Sequence, residues 1–488
     1  MPYGAKASMV KTYAYFVGKL FPSDFSVGFL ILRRLDMSEE LEIIYENLSE
    51  YFKTRKFADL RIMLLDMEPA DIAIFIEECL EEKDKLVFFR LLPKELASDV
   101  FVEIDTDSQE YLIKAFTDKE LKAVIDDMFL DDTVDIIEEM PANVVKRILK
   151  NSEPEDRAQI NHLLSYPEDS AGSIMTTEFV SLSEKMTVEE AFDKIRRTGV
   201  DKETIYTCYV TDNKKHLIGV VTVKDLLLSD KKQLLMDVMD SNVITVHTLE
   251  DKEQVAMQLS KYDFLALPVI DKEGCLVGIV TVDDAFDVIQ EEATEDIQKM
   301  AAVTPTDDPY LKTSVYKISK ARLPWLLILM ISATFTSMIL SEYEAKLSTV
   351  LYAFVPMLMG TAGNAGGQTS VTIIRALALN EVEPRDILKV IWKEIRVSFL
   401  LGLIIAVACF LKMYFIDSLY NEITWQVCLV VSVVLLITII MAKVIGALLP
   451  VIAKKIKLDP AVVASPFITT IVDALALIIY CTIAIAIL

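Results

Sequence analysis

HLIGVVTVKDLL (residues 216–227) and CLVGIVTVDDAF (residues 275–286) are two copies of one pattern. Gly219 aligns with Gly278 and Asp225 with Asp284, at a constant offset of 59 residues. Upstream, YVTD ending at Asp212 aligns with PVID ending at Asp271 at the same offset. Each copy reads as strand, Gly turn, β-branched strand, then a helix start at the acidic residue. A helical stretch precedes each copy, TVEEAFDKIRRTG in the first and EDKEQVAMQLSKYDF in the second. The centre of the chain is therefore a duplicated α/β unit.

Before it, from about Ser38 to Tyr166, apolar residues recur at helical spacing. Helix starts recur as well, at MEPADIAIFI, LLPKELASDVF and EMPANVVKRIL, marked by Pro69, Pro93 and Pro141. FTDKELKAVI, with Asp118, holds the matching place between the last two, so the period is about 24 residues. Stacked short helices of this kind form a small superhelix, and a solvated acidic bundle has the same composition. In FLDDTVDIIEE, Asp131 and Asp135 share one helix face at i, i+4.

After the second copy comes VDDAFDVIQEEATEDIQKM (282–300). Asp283, Asp287, Glu291 and Glu295 make one row on a helix, and Asp284, Glu292 and Asp296 an adjacent one. Like charges at i, i+4 destabilise an isolated helix. A solvated connector is one account of the run. A site for a hard cation, which takes oxygen ligands, is the other.

Five apolar runs close the chain: Leu323–Ser341, about Ser348–Ala378, Val397–Ile416, Val427–Ala453 and Ala461–Leu488. Each exceeds the roughly 18 residues a span needs. Lys317, Lys320 and Arg322 precede the first. Arg385, Lys389, Lys393 and Arg396 follow the second, and Lys454, Lys455 and Lys457 follow the fourth. The alternate loops, EYEAK and DSLYNEIT, carry one Lys between them. The positive-inside bias puts the acidic domains in the cytoplasm and the C-terminus outside. Lys412 and Lys443 are expected to snorkel from span ends. The second run contains GTAGNAGGQ, with Gly360, Gly363, Gly366 and Gly367 in eight residues of a chain that has 14 glycines. Close helix packing explains such a cluster, and so does a water-filled pathway. The fifth run holds Asp473, a carboxylate that costs on the order of 3 kcal/mol at mid-membrane depth.

Bulk composition narrows the function. Asp and Glu number 73 against 49 Lys and Arg, a net charge of −24. That charge excludes nucleic acid as a partner and suits a surface that attracts cations. The six cysteines are scattered without CxxC spacing, so neither a disulfide framework nor a zinc site is expected. No nucleophile–base pair, phosphate loop or His cluster points to an enzyme. Residues 1–36 are mildly basic and apolar, unlike the acidic helical stretch from Ser38 onward. A start at Met37 is expected, leaving 1–37 as an atypical extension.

The duplicated unit resembles a tandem pair of CBS domains, at 175–230 and 238–292. Such pairs commonly bind adenine nucleotides, so ATP is a candidate ligand. With GTAGNAGGQ, EEATEDI, VIGALLP and LDPAVVASPFITTIVDAL in order, the chain over about 40–488 resembles the MgtE family of magnesium transporters. The resemblance implies a multidomain membrane protein. Its parts are an all-α superhelical N domain (38–168), the α/β CBS pair, a connecting plug helix (293–320) and an all-α five-helix transmembrane domain (321–488). It implies a homodimer in the cytoplasmic membrane, importing Mg2+ through a pathway lined by the second and fifth spans. Pore-lining positions would be Gly360, Gly363, Asn364, Gly367, Ser465 and Asp473. It carries regulatory Mg2+ onto Asp131, Asp135, Glu253, Asp263, Asp284, Asp287, Glu292, Glu295 and Asp296, and places Asp459 at the cytoplasmic mouth. Gly367 and Ser465 depart from the Asn of some relatives. The competing readings are a CBS-regulated carrier of another divalent cation or solute, and a non-transporting Mg2+ or nucleotide sensor.

Overall fold

A 24-residue period with one Pro or capping signal per repeat turns out to encode two helices, not one. In the computed structural model, which describes residues 41–306, 310–311, 313–344, 348–419, 423–463 and 465–487, short helices follow one another from 41 to Leu163. Those starting at Pro69, Lys94, Asp118 and Ala142 carry the repeat signal. Glu82–Phe89, Thr106–Ala115 and Leu130–Glu139 fill the intervals. Pro69 sits at the first helical position, and Pro93 and Pro141 sit one step earlier as N-caps. Thr117 closes a capping box with Glu120. The inward faces pack aromatic and aliphatic side chains, with Phe75 and Phe88 fully buried and their rings 5.1 Å apart. Residues 1–40, and with them the expected extension, lie outside the described residues.

The duplicated unit forms two three-stranded sheets. One holds β1 (Phe179–Ser183), β2 (Thr204–Thr211) and β3 (Leu217–Thr222); the other holds β4 (Val246–His247), β5 (Ala266–Ile270) and β6 (Leu276–Thr281). In both, the first strand runs parallel to the second and the second antiparallel to the third. The paired glycines have a shared reason. Gly219 lies under Met239, and Gly278 under Met175 and the Thr176 carbonyl, where a methyl group would collide. In each copy the chain crosses the third strand there, bridging Asp240 to Val220 and Thr176 to Ile279. The chain divides into two compact units at Phe286.

The acidic helix is continuous from Val282 to Met300. It ends in a left-handed Ala302 and does not run on to residue 320 as expected. Pro305, which lacks an N–H, lies in the break, and the next helix starts at Val315. Five long helices follow: Val315–Glu344, Val355–Ala378, Ile387–Phe415, Trp425–Lys455 and Ser465–Ile487. We number them first to fifth. The first, third, fourth and fifth are long and apolar enough to cross a membrane. The second reaches about 36 Å at 1.5 Å per residue, but its glycines and polar residues dilute its hydropathy. It starts at Val355 rather than Ser348, after a one-turn helix Thr349–Tyr352, because Pro356 fits only the first turn. The second helix packs on the fourth and fifth, the third on the fourth, and the first on the fifth. Tyr480 Oη ties the bundle by donating to the Leu351 carbonyl at 2.7 Å.

Lys412 lies near the end of the third helix, half exposed, with Asp417 3.0 Å away. Lys443 does not snorkel. It is 7% exposed, twelve residues inside the fourth helix, and paired with groups on two other helices.

Candidate cation-binding sites

Asp473 lies on the fifth helix where it meets the second. Its Oδ1 is buried and has no hydrogen-bond partner among the described residues. A methyl group at Gly363 would stand 3.3 Å from that oxygen. It would stand nearer still, 2.8 Å, to Thr469 Cγ2, so the absence of a side chain at 363 lets the fifth helix pack close and brings the carboxylate oxygen up to the second helix. An orphaned anionic oxygen in an apolar bundle is costly unless a cation meets it, so the residues present fit a cation.

The glycine cluster divides by face. Gly363, Gly366 and Gly367 are buried, and Gly366 and Gly446 touch backbone to backbone. Gly360, Asn364 and Gln368, at i, i+4 and i+8, form an exposed stripe. Of the expected lining positions, Gly360 and Asn364 are therefore open. Gly363 faces Asp473, and Gly367 is buried away from the stripe. Ser465 opens the fifth helix, but its side chain lies outside the described residues.

At the start of the fifth helix the carboxylates expected to take metal already hold a cation. Lys299 Nζ lies 2.5 Å from Glu295 Oε1 and 2.8 Å from Asp459 Oδ2. Burial opposes the charge on Lys299, but these hydrogen bonds outweigh it and hold the ammonium above its ordinary pKa. Asp459 also caps the following turn through the Ala461 N–H. Burial, then the Asp459 carboxylate, raises the pKa of Asp296.

The third concentration joins the helical domain to the CBS pair. Asp131, Asp132, Glu203, Asp283 and Asp284 help line a cavity of about 400 Å3 whose lining includes no basic residue. Burial pushes Asp131 up to about 6, Asp132 and Asp284 to about 7, and Asp135 and Glu203 to about 8. Neighbouring carboxylates add to it in every case: Glu178 acts on Asp131, Asp284 on Asp135, and Asp131 on Glu203. Thr281 Oγ1 donates to Asp284 Oδ2 at 2.6 Å, and the Leu130 N–H donates to Glu178. Asp131, Asp135 and Asp284 are expected here from the sequence. Asp283, marked in the sequence as part of the acidic row, joins them, and Asp132, Glu178 and Glu203 are members of the same cluster that the sequence does not mark. Glu178 and Glu203 flank strands, where no helical periodicity singles them out.

Among the described residues no three His, Cys, Asp or Glu side chains are already gathered to hold a metal ion. The remaining expected ligands are dispersed. Asp263 is an exposed left-handed cap of the helix Lys252–Tyr262, Glu253 starts that helix, and Asp287 and Glu292 lie on the acidic helix.

Comparison with known proteins agrees along the chain. Residues 67–169 match the MgtE intracellular N domain, 171–231 and 235–291 match CBS domains, and 355–483 match MgtE, a divalent cation transporter. The magnesium transporter MgtE of Thermus thermophilus is 36% identical over 454 residues, covering 92% of this chain and 98% of that protein. The magnesium transporter MgtE of Bacillus subtilis is 32% identical over 437 residues, covering 88% and 94%. The crystal structure of the cytosolic domain of the Mg2+ channel MgtE in complex with ATP is 36% identical, covers 50% of this chain and 99% of that chain, and gives a TM-score of 0.48. With the N domain, the CBS pair and the apolar bundle in one order, and identity extending over nearly the whole chain, this protein belongs to the MgtE family.

Proposed function

We propose that this protein imports Mg2+ through the membrane along a pathway at Asp473, and that intracellular Mg2+ closes it. The observation that carries the reading is the buried, unpartnered Asp473 Oδ1 with Gly363 in front of it. A hydrated Mg2+ needs oxygen acceptors but gives up its water reluctantly. A carboxylate oxygen brought against a side-chain-free stretch of the second helix meets that need. The exposed Gly360–Asn364–Gln368 stripe supports a two-fold homodimer, because a second copy would present the same polar face to it. The basic flanks support a cytoplasmic N-terminal half and an external C-terminus, with the second helix as one of five spans.

Closure follows from the acidic clusters. Without a cation, the carboxylates around Asp131, Asp135 and Asp284 oppose one another's ionisation. A divalent cation that binds only when they are together favours the docked state. Adenine nucleotide at the CBS pair belongs to the same reading. Asp225 and Asp284 start equivalent helices, but Asp284 is committed to the acidic cluster. Asp225 Oδ2 caps its own helix through Thr222, but the residue is exposed and is the more accessible ribose acceptor of the two.

The deciding experiment is growth of a bacterial strain lacking its Mg2+ uptake systems. The full chain restores growth at low Mg2+. A chain that reaches the membrane without restoring growth rules out magnesium import.

The Lys299 contacts add an expected result. Its tethered ammonium supports docking at the mouth before any Mg2+ arrives. Partly exposed ion pairs contribute up to about 1 kcal/mol, so Lys299→Gln raises Mg2+ influx into vesicles with no internal Mg2+ by about two- to fivefold. Dye-reported influx that matches the wild type would show that Lys299 takes no part in closure.

A further inference from the structure

We propose that Lys443, Glu394 and Thr369 are positioning residues of the transport pathway, forming a buried clamp that sets the register of the second helix against the third and fourth. The inference rests on the reading of Asp473 as the pathway carboxylate. The three residues come from three helices. Lys443 Nζ donates to Thr369 Oγ1 at 3.2 Å, and Thr369 Oγ1 donates to Glu394 Oε2 at 3.2 Å. The ammonium and carboxylate are 3.7 Å apart, with side chains 8% and 14% exposed. A hydroxyl can accept and donate at once, so Thr369 links the two charges.

Lys443 has no route to water along its own helix. Twelve residues separate it from Lys455, about 18 Å of helix, well beyond a lysine stem. A buried ion pair gains little stability over apolar residues of the same size, and its best-attested use is to fix register. Towards the cytoplasmic end, Lys454 Nζ donates to the Leu377 carbonyl across the same two helices, but at the glycine crossing itself the contact is smooth. Gly366 lies one turn before Thr369 and Gly446 one turn after Lys443, and these glycines meet backbone to backbone. Such a smooth crossing permits close approach without choosing an axial position. The clamp supplies directional bonds one turn away.

The register matters because the same face of the second helix reaches Asp473. Methyl groups at Gly366 and Gly363 would stand 3.3 Å from Val472 Cγ2 and Asp473 Oδ1 respectively. Sliding the second helix would carry Gly363 off the carboxylate and put a larger residue in its place. Thr369, Glu394 and Lys443 therefore act on the pathway through helix position, without touching the transported ion.

The test uses the full-length protein, purified and reconstituted in liposomes, with Mg2+ and Co2+ influx measured separately. Melting in detergent is followed in parallel. Glu394→Gln and Lys443→Met each strand one buried charge, and each is expected to lower the melting temperature and cut Mg2+ influx at least about tenfold. The double variant Glu394→Gln/Lys443→Met strands none. It is expected to melt like the wild type but to change the Mg2+:Co2+ influx ratio by about threefold or more, since register is no longer held. Lys443→Arg keeps the charge and is expected to keep the ratio. A double variant with the wild-type rate and ratio would make the clamp merely structural and overturn the proposal. Single variants that melt and transport like the wild type would overturn it too. A wild-type protein that carries neither cation overturns the transport reading and the clamp's pathway role together. A wild type that transports beside a double variant with an unchanged ratio overturns the clamp alone.

Discussion

Asp473→Asn is expected to lower Mg2+ uptake at least about a hundredfold while leaving the protein folded. The substitution keeps size and shape and removes only the charge. Even at an effective dielectric near 20, a unit charge acts on another 4 Å away with about 4 kcal/mol, and Mg2+ carries two charges. Each 1.4 kcal/mol lost from the rate-limiting passage is about tenfold. Stability moves the other way. Among the described residues Asp473 Oδ1 is buried without a partner, so neutralising it removes a desolvation penalty. The variant should melt no lower than the wild type. Uptake within threefold of wild type would remove Asp473 from the pathway. Lost uptake with a lowered melting point would mean damage to the bundle instead.

The second large effect is on the cytosolic unit and depends on pH and Mg2+ together. Five carboxylates, Asp131, Asp132, Asp135, Glu203 and Asp284, have folded-state pKa values between about 6 and about 8. Asp and Glu ordinarily titrate near 4. Burial is the main cause and the neighbouring carboxylates add to it. The folded state therefore binds more protons than the unfolded chain between about pH 4 and 8. Its stability is full below the unfolded pKa and is lost as pH rises through the folded values. In chelator, the cytosolic transition of the full-length protein should fall by about 5 °C or more between pH 5 and pH 8, read by scanning calorimetry. Millimolar Mg2+ should reverse most of the loss at pH 8 and change little at pH 5, where the sites are protonated. Asp135→Asn should flatten the pH dependence. A transition that rises with pH in chelator would contradict the cluster.

The organisation was legible where local chemistry repeats. The 59-residue register of Gly219 with Gly278 and Asp225 with Asp284 is carried by residues that each copy needs for itself. The glycines allow a chain crossing, and the acidic residues sit at helix starts. The proline-marked period was legible as well. Its meaning as a helix pair was not, because the intervening helices carry no start signal that recurs: Asp105 caps Thr106–Ala115, but the caps of Glu82–Phe89 and Leu130–Glu139 make no side-chain bond. Apolar length revealed all five of the long C-terminal helices. In the second, the same small and polar residues that suggested a pathway also weakened the hydropathy.

The chemistry of the sites was legible only as residue types. Asp473 stands out in sequence because a carboxylate in an apolar run is costly wherever it points. That Gly363 faces Thr469 and the Asp473 oxygen, while Gly366 meets Gly446, follows from helix rotation and crossing, which a single segment does not encode. The same holds for the charges. Lys443 in sequence looked like a residue reaching for water; in the bundle it meets Glu394, 49 positions away, through Thr369. Lys299 and Asp459 are 160 positions apart, yet the lysine holds a carboxylate that sequence alone left for Mg2+. By itself the sequence determined the family, the order of domains and which carboxylates are unusual, since burial pattern and local spacing are written residue by residue. Only the tertiary structure decided which charges neutralise one another and which buried carboxylates crowd together. Coulomb energy and desolvation depend on distance and burial, and packing between distant segments sets both.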